Sequence, residues 1–181
     1  MKQTRLFGDT EKAKDKRVRR IRVKHGECAF CEIIKGNAEA YVVFEDDVSI
    51  AFLDIRPLFH GHCLLIPKKH YETLTDLPIE LISPLFTNTR LLALAVENGL
   101  RAEGSFIAIN NRVSQSVPHL HIHIVPRKKK DGLRGFFWPR QSDVDHSTFL
   151  RIQKILVNVI SDMKHSQKQS EQSRYFMESV N

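Results

Sequence analysis

The heptapeptide His119-Leu120-His121-Ile122-His123-Ile124-Val125, bracketed by Pro118 and Pro126, alternates ring and aliphatic side chains without a break. A period of two is the period of a β-strand, in which neighbours on one face stand roughly 6.6 Å apart at a rise of ~3.3 Å per residue. The three imidazoles therefore leave one face together, and Leu120, Ile122 and Ile124 turn to a buried one. Stacking three titratable rings side by side does little for stability. The strand over 119–125 is read as a functional site laid on a sheet.

Outward from this run, residues 105–110 form a preceding strand, joined to it by the short polar link Asn111-Arg-Val-Ser-Gln-Ser116. Further upstream, residues 41–44 and 48–53 read as a hairpin across Glu45-Asp46-Asp47, and 62–66 as a strand closed by Pro67. Asp76 with Pro78, and Ser83 with Pro84, have the form of N-cap and N1 pairs. A helix is expected over 77–98, open to interruption at Pro84 and capped by Gly99. A last helix over 147–164 repeats Phe149, Ile152, Leu156, Val159 and Met163 at helical spacing, with a polar, frayed tail after it. Strands and helices do not alternate as βαβ units. That favours an α+β domain with an antiparallel sheet over a Rossmann arrangement.

Length and charge narrow the class. The chain has 181 residues, 41% hydrophobic, enough for one domain with a real core. Its net charge of +7 is uneven, because residues 1–26 hold ten Lys/Arg and three acidic residues, leaving 18 of each beyond them. The excess is thus a property of a basic N-terminal arm, which offers a weak nucleic-acid contact. No apolar h-region follows the first basic residues and no run of ~18 apolar residues occurs, so neither a secretory leader nor a membrane span is expected. Three cysteines do not make an extracellular disulfide framework, and a cytoplasmic location is expected. Phe136-Phe137-Trp138 suits packing of the last helix, a dimer contact or a base pocket.

The histidine face permits phosphoryl chemistry. A neutral imidazole attacks an electrophilic phosphorus, and a neighbouring imidazolium stabilises charge or protonates a leaving group. His121, with a ring on each side, is the natural nucleophile, and Gln115 and Ser116 supply donors for phosphate oxygens. Cys28 and Cys31 have the two-residue spacing of half a tetrahedral zinc site. A redox pair and two unliganded thiols are the alternatives. Cys63 falls within a strand and reads as a small core residue. A catalytic ion held by His119, His121 and His123 is the rival to histidine nucleophilic catalysis.

These residues resemble the His-φ-His-φ-His-φ-φ signature of the histidine triad (HIT) superfamily of nucleotide hydrolases and transferases. The likeness covers residues 27–141, between the arm (1–26) and a C-terminal extension (142–181). Cys28-Ala-Phe-Cys31-Glu-Ile-Ile-Lys-Gly36 is similar to the opening of zinc-containing bacterial members. Ala51-Phe-Leu-Asp54-Ile55, Gly61-His62, Ile66-Pro-Lys-Lys-His70 and Gln115-Ser-Val-Pro-His119 follow in order and approximate spacing.

The resemblance implies a five-stranded antiparallel sheet with one long helix and a C-terminal helix, paired into a homodimer with a continuous sheet. It implies attack by His121 on a nucleotide α-phosphate through a nucleotidyl-histidine intermediate, on dinucleoside polyphosphates or nucleoside phosphoramidates. His119 and His123 would orient His121 and stabilise phosphate, with His62 near the leaving group. Asp54 would bind ribose, Ile55 the base, and Asn110, Gln115 and Ser116 phosphate or ribose. A structural zinc would sit on Cys28, Cys31, His70 and His119. The link from Asn110 to Gln115 departs from the pattern, being short and carrying Ser114 where the family has glycine. Deadenylation of nucleic-acid ends, or plain nucleotide binding, with the arm as grip, is the alternative function.

Overall fold

The computed structural model describes residues 27–133 and 145–179. The basic arm and the Phe136-Phe137-Trp138 cluster lie outside the described residues. A short helix α1 (Ala29–Ile34) precedes strands β1 (Val42–Glu45), β2 (Ser49–Leu53) and β3 (Cys63–Pro67). The long helix α2 (Ile79–Leu100), strands β4 (Gly104–Ile109) and β5 (Ile122–Arg127), and helix α3 (His146–Ser179) follow. All strand pairs are antiparallel, in the order β1-β2-β3-β5-β4. This is the expected α+β architecture.

The alternation seen in the sequence assigns each side chain of the sheet to a face. Ala51, Leu53, Cys63, Leu65, Ile122 and Ile124 enter a core closed by Leu85, Leu92 and Val96 of α2 and Leu156 of α3. Ile50, Phe52, Leu64 and Ile66 enter a smaller cluster under Phe30 of α1. Register places Leu64 and Ala108 beside His123, so the histidines share the α1 face, away from α2 and α3. Cys63 is fully buried, and burial pushes its thiol up to about 12, as suits a core residue.

Four local expectations are corrected. The strand carrying the histidines begins at Ile122, not His119. Pro67 ends β3 without an N–H to continue the ladder, and Leu120 instead donates its amide to the Tyr71 carbonyl at 2.6 Å. Helix α2 runs unbroken through Pro84, forgoing one backbone hydrogen bond. Gly99 is not its cap, for Arg101 ends the helix at φ 52°. Gly99 is needed for close approach, because a Cβ there would stand 3.0 Å from Ile155 Cγ2 and 3.3 Å from Val159 Cγ2 of α3. Finally, α3 continues to Ser179 instead of fraying after 164, since no Gly or Pro in 165–179 stops it.

Among the described residues α2 alone has the length and mean hydropathy, 1.3, to cross a membrane. Its apolar face is taken up by the sheet and by α3. The β1–β2 hairpin is closed by Asp46, whose carboxylate accepts the amides of Val48 at 3.0 Å and Ser49 at 2.7 Å. Asn88 of α2 donates to the same carboxylate at 2.6 Å, tying the hairpin to the helix.

Candidate active site and metal site

The two ends of the histidine run face different surroundings. His119 lies ahead of β5, next to His70 from the segment after β3 and to Cys28 and Cys31 at the start of α1. Cys28 Sγ is 3.5 Å from His119 Nδ1, and Cys31 Sγ is 3.4 Å from His70 Nδ1 and 3.7 Å from His119 Nδ1. All four ligand atoms lie within 4.8 Å of one another. A tetrahedral zinc, with bonds of ~2.3 Å to sulfur and ~2.0–2.1 Å to nitrogen, separates its sulfur and nitrogen ligands by about 3.6 Å. The donor set fits zinc. Burial and the adjacent Cys28 push the Cys31 thiol up to about 11, so a thiolate there calls for a bound cation.

His119 is held for this role by its second nitrogen. Nε2 and the Pro67 carbonyl are 2.9 Å apart, so Nε2–H donates outward and Nδ1 keeps its lone pair for a metal. The ring is fully buried, and burial pushes its pKa down to about 4.

His121 has the opposite arrangement. Its Nδ1–H donates to the His119 carbonyl at 2.6 Å, which leaves Nε2 as the nitrogen with the lone pair. Burial holds its pKa below the ordinary 6.5, so the ring is neutral at pH 7. The edge of Phe30 meets His119 at 5.9 Å and His121 at 5.4 Å between ring centres, packing against both. His121 and His123 are 4.9 Å apart. His62 Nδ1 accepts the Leu58 amide at 3.3 Å, so its Nε2–H donates to His123 Nδ1 at 2.9 Å. That bond puts the His123 proton on Nε2. Asp54 stands 3.5 Å from His62 Nδ1.

These rings line an open cleft of about 490 Å³, within the range of small-ligand sites. Asp54, His62, His121, His123, Asn110 and Ser116, all singled out in the sequence, line it. Ile55 and Gln115 do not. Ile55 is 56% exposed. The Gln115 amide accepts the Arg112 N–H at 2.7 Å and donates to the Glu72 carbonyl at 2.6 Å, strapping the loop to the segment after β3. Arg112 and Ser114 adopt φ of 63° and 60° without being glycine, which concentrates backbone strain beside the site. Ser114 so keeps the conformation that a glycine adopts freely, and it lines the cleft.

Arg56, Leu58, Phe106 and Ala108 also line the cleft, and the sequence did not single them out. Phe106 and Ala108 follow from the β4–β5 register, which pairs Ala108 with His123 and Phe106 with Val125. His119, His121 and His123 do not form one ligand cluster among the described residues. Asp54, His62 and His123 do place ligand atoms within 4.8 Å of one another, a closeness to which the His62–His123 hydrogen bond contributes directly.

The chain is similar to known proteins in sequence and in fold. A model of the HIT domain matches residues 35–130. An adenylylsulfatase of Arabidopsis thaliana is 34% identical over 75% of this chain, which spans 66% of that protein's length. An adenosine 5'-monophosphoramidase of Candida albicans is 34% identical over 65% of this chain and 82% of its own. The crystal structure of a zinc-bound histidine triad family protein from Mycobacterium smegmatis superposes with a TM-score of 0.67 at 34% identity, covering 77% of this chain and 96% of that one.

Proposed function

The chain belongs to the histidine triad family, and from that premise we propose a nucleotide hydrolase or nucleotidyltransferase that acts at the α-phosphorus through a nucleotidyl-His121 intermediate. The observation that carries the reading is the hydrogen bond from His121 Nδ1 to the His119 carbonyl. It aims a neutral Nε2 at the cleft beside the proton of His123 Nε2.

In the first step Nε2 of His121 forms a bond to the α-phosphorus while the bond to the leaving group breaks. The departing group takes the bonding pair, and the proton that it needs comes from the His62–His123 side of the cleft. The hydrogen bond at His121 Nδ1 stabilises the positive charge that develops on the ring. In the second step water attacks the same phosphorus and the bond to His121 Nε2 breaks; one proton of the water returns to the His62–His123 side, and a nucleoside monophosphate leaves. Asp54 accepts ribose hydroxyls, and Asn110 and Ser116 donate to phosphate oxygens. Zinc, when bound by Cys28, Cys31, His70 and His119, supplies a rigid cross-link under the nucleophile and takes no part in the reaction.

Phosphoramidates and adenylylsulfate are the substrates named for two relatives, and dinucleoside polyphosphates present the same α-phosphorus. The open edge of β4, with Ile107 at 42% exposure, supports a homodimer through a continuous sheet. The test of function is AMP release from adenosine phosphoramidate, adenylylsulfate and diadenosine tetraphosphate. Wild-type protein is expected to turn over at least one of them, and His121→Ala none. Equal rates for the two proteins would overturn the reading.

A further inference from the structure

We propose that Arg56 sets the leaving-group preference by reading the negative charge of the group that departs from phosphorus. The proposal rests on the nucleotidyl-His121 mechanism above.

Arg56 is the single Lys or Arg among the residues lining the cleft, whose other charged and titratable members are Asp54, His62, His121 and His123. Its guanidinium has no hydrogen-bond or ion-pair partner among the described residues. Arg56 is exposed, and its backbone is held in place. The Arg56 amide donates to Asp54 Oδ1 at 2.8 Å, Pro57 follows it, and the Leu58 amide donates to His62 Nδ1 at 3.3 Å. The turn 54–58 is thus tied at both ends to groups of the site.

Strand register locates that turn. Ile109 pairs with Ile122, so the loop after it, carrying Asn110 and Ser116, reaches the cleft at the His121 end. Cys63 pairs with Ile124, so His62 and the turn before it stand past His123, at the other end of the row. An in-line displacement sends the leaving group away from the attacking His121 nitrogen. With the phosphate oxygens held by Asn110 and Ser116 at the His121 end, the side of the cleft left for it is that of His123, His62 and Arg56.

A sulfate or polyphosphate leaving group presents several anionic oxygens to a guanidinium, which binds such groups through two parallel hydrogen bonds. An amine presents none. Arg56 should then favour the anionic class and be indifferent to the amine.

The experiment measures kcat/KM for wild-type, Arg56→Ala and Arg56→Lys proteins on adenylylsulfate, diadenosine tetraphosphate and adenosine phosphoramidate. Arg56→Ala should lose about ten-fold or more on the two anionic leaving groups and stay within about two-fold on the phosphoramidate. Arg56→Lys should recover part of the loss. Equal losses on all three substrates, or no loss on any, would overturn the assignment while leaving the nucleophile intact. A wild-type protein inactive on all three would instead remove the mechanism, and the proposal with it.

Discussion

His119 and His121 are two residues apart on one face, yet they lie in different chemical worlds. At His119 both ring nitrogens are committed, Nε2 to the Pro67 carbonyl and Nδ1 to the company of two sulfurs and His70. At His121 one nitrogen is tied to backbone and the other faces a cleft shared with His123. What separates them is which nitrogen meets a carbonyl. A buried imidazole with Nδ1 free can ligate from the side nearest its own backbone, while one with Nε2 free projects its lone pair farthest from the strand. The same residue type therefore serves as anchor and as nucleophile, and the choice lies in the hydrogen bonds around each ring.

The largest effect that probes this division is on turnover. His121→Ala should lower kcat by about 10⁴-fold or more, the scale seen when a covalent nucleophile is removed. Its zinc content should stay at about one ion per chain, checked by elemental analysis. Loss of zinc together with activity would merge the two sites that we separate. The converse variant, Cys28→Ser with Cys31→Ser, should lose the zinc and lower the Tm by about 10 °C or more, because a structural metal site contributes directly to folding. An unchanged Tm would mean that the cluster carries no structural load.

Acid acts on both rings, with an effect of intermediate size. Burial holds the His121 pKa below 6.5, so the neutral nucleophile survives to lower pH than an exposed histidine would. The acid limb of kcat/KM should therefore fall below pH 6.5, and a limb at or above that value would contradict the assignment. His119 acts on stability with the same sign. Its folded pKa of about 4 lies below the ordinary 6.5, so the unfolded chain binds the proton first. In the zinc-free protein its contribution is complete above pH 6.5 and is lost as pH falls toward 4, readable as a falling urea midpoint.

The smallest effect lies far from both rings. Gly99→Leu should cost about 1–3 kcal/mol through the clash with Ile155 and Val159, with kcat per folded molecule unchanged. A change in kcat would show that the α2–α3 contact reaches the cleft.

Much of this was legible before the fold was known. The period of two placed Ile122 and Ile124 in the core and the rings of His121 and His123 on the opposite face, because a pleat leaves no other option. Cys28 and Cys31 have the spacing of half a tetrahedral metal site, a spacing that a redox pair or two free thiols share. His70 and His119 join them only through tertiary structure, and it was the family likeness, not local spacing, that named them. Ala108 and Phe106 could not be read, since the β4–β5 register is set by pairing between strands. Arg56 could not either, because nothing in a basic residue near a turn says which cleft it enters. Gly99 reads as a cap in the sequence and is a close-contact position in the fold, because a helix-ending glycine and a helix-crossing glycine look alike in one dimension. Pro67 reads as the close of one strand, but its consequence for the strand paired with it, which starts at Ile122 and not at His119, depends on a register that the alternation over 119–125 does not show.

The most direct test of the division between anchor and nucleophile is to locate the covalent adduct. Wild-type protein should be mixed with adenosine phosphoramidate, quenched under alkaline denaturing conditions within the first turnovers, and mapped by peptide mass spectrometry. Adenylylation is expected at His121 alone and absent from His121→Ala. An adduct on His119 or His123, or steady turnover by a protein that lacks His121, would contradict it.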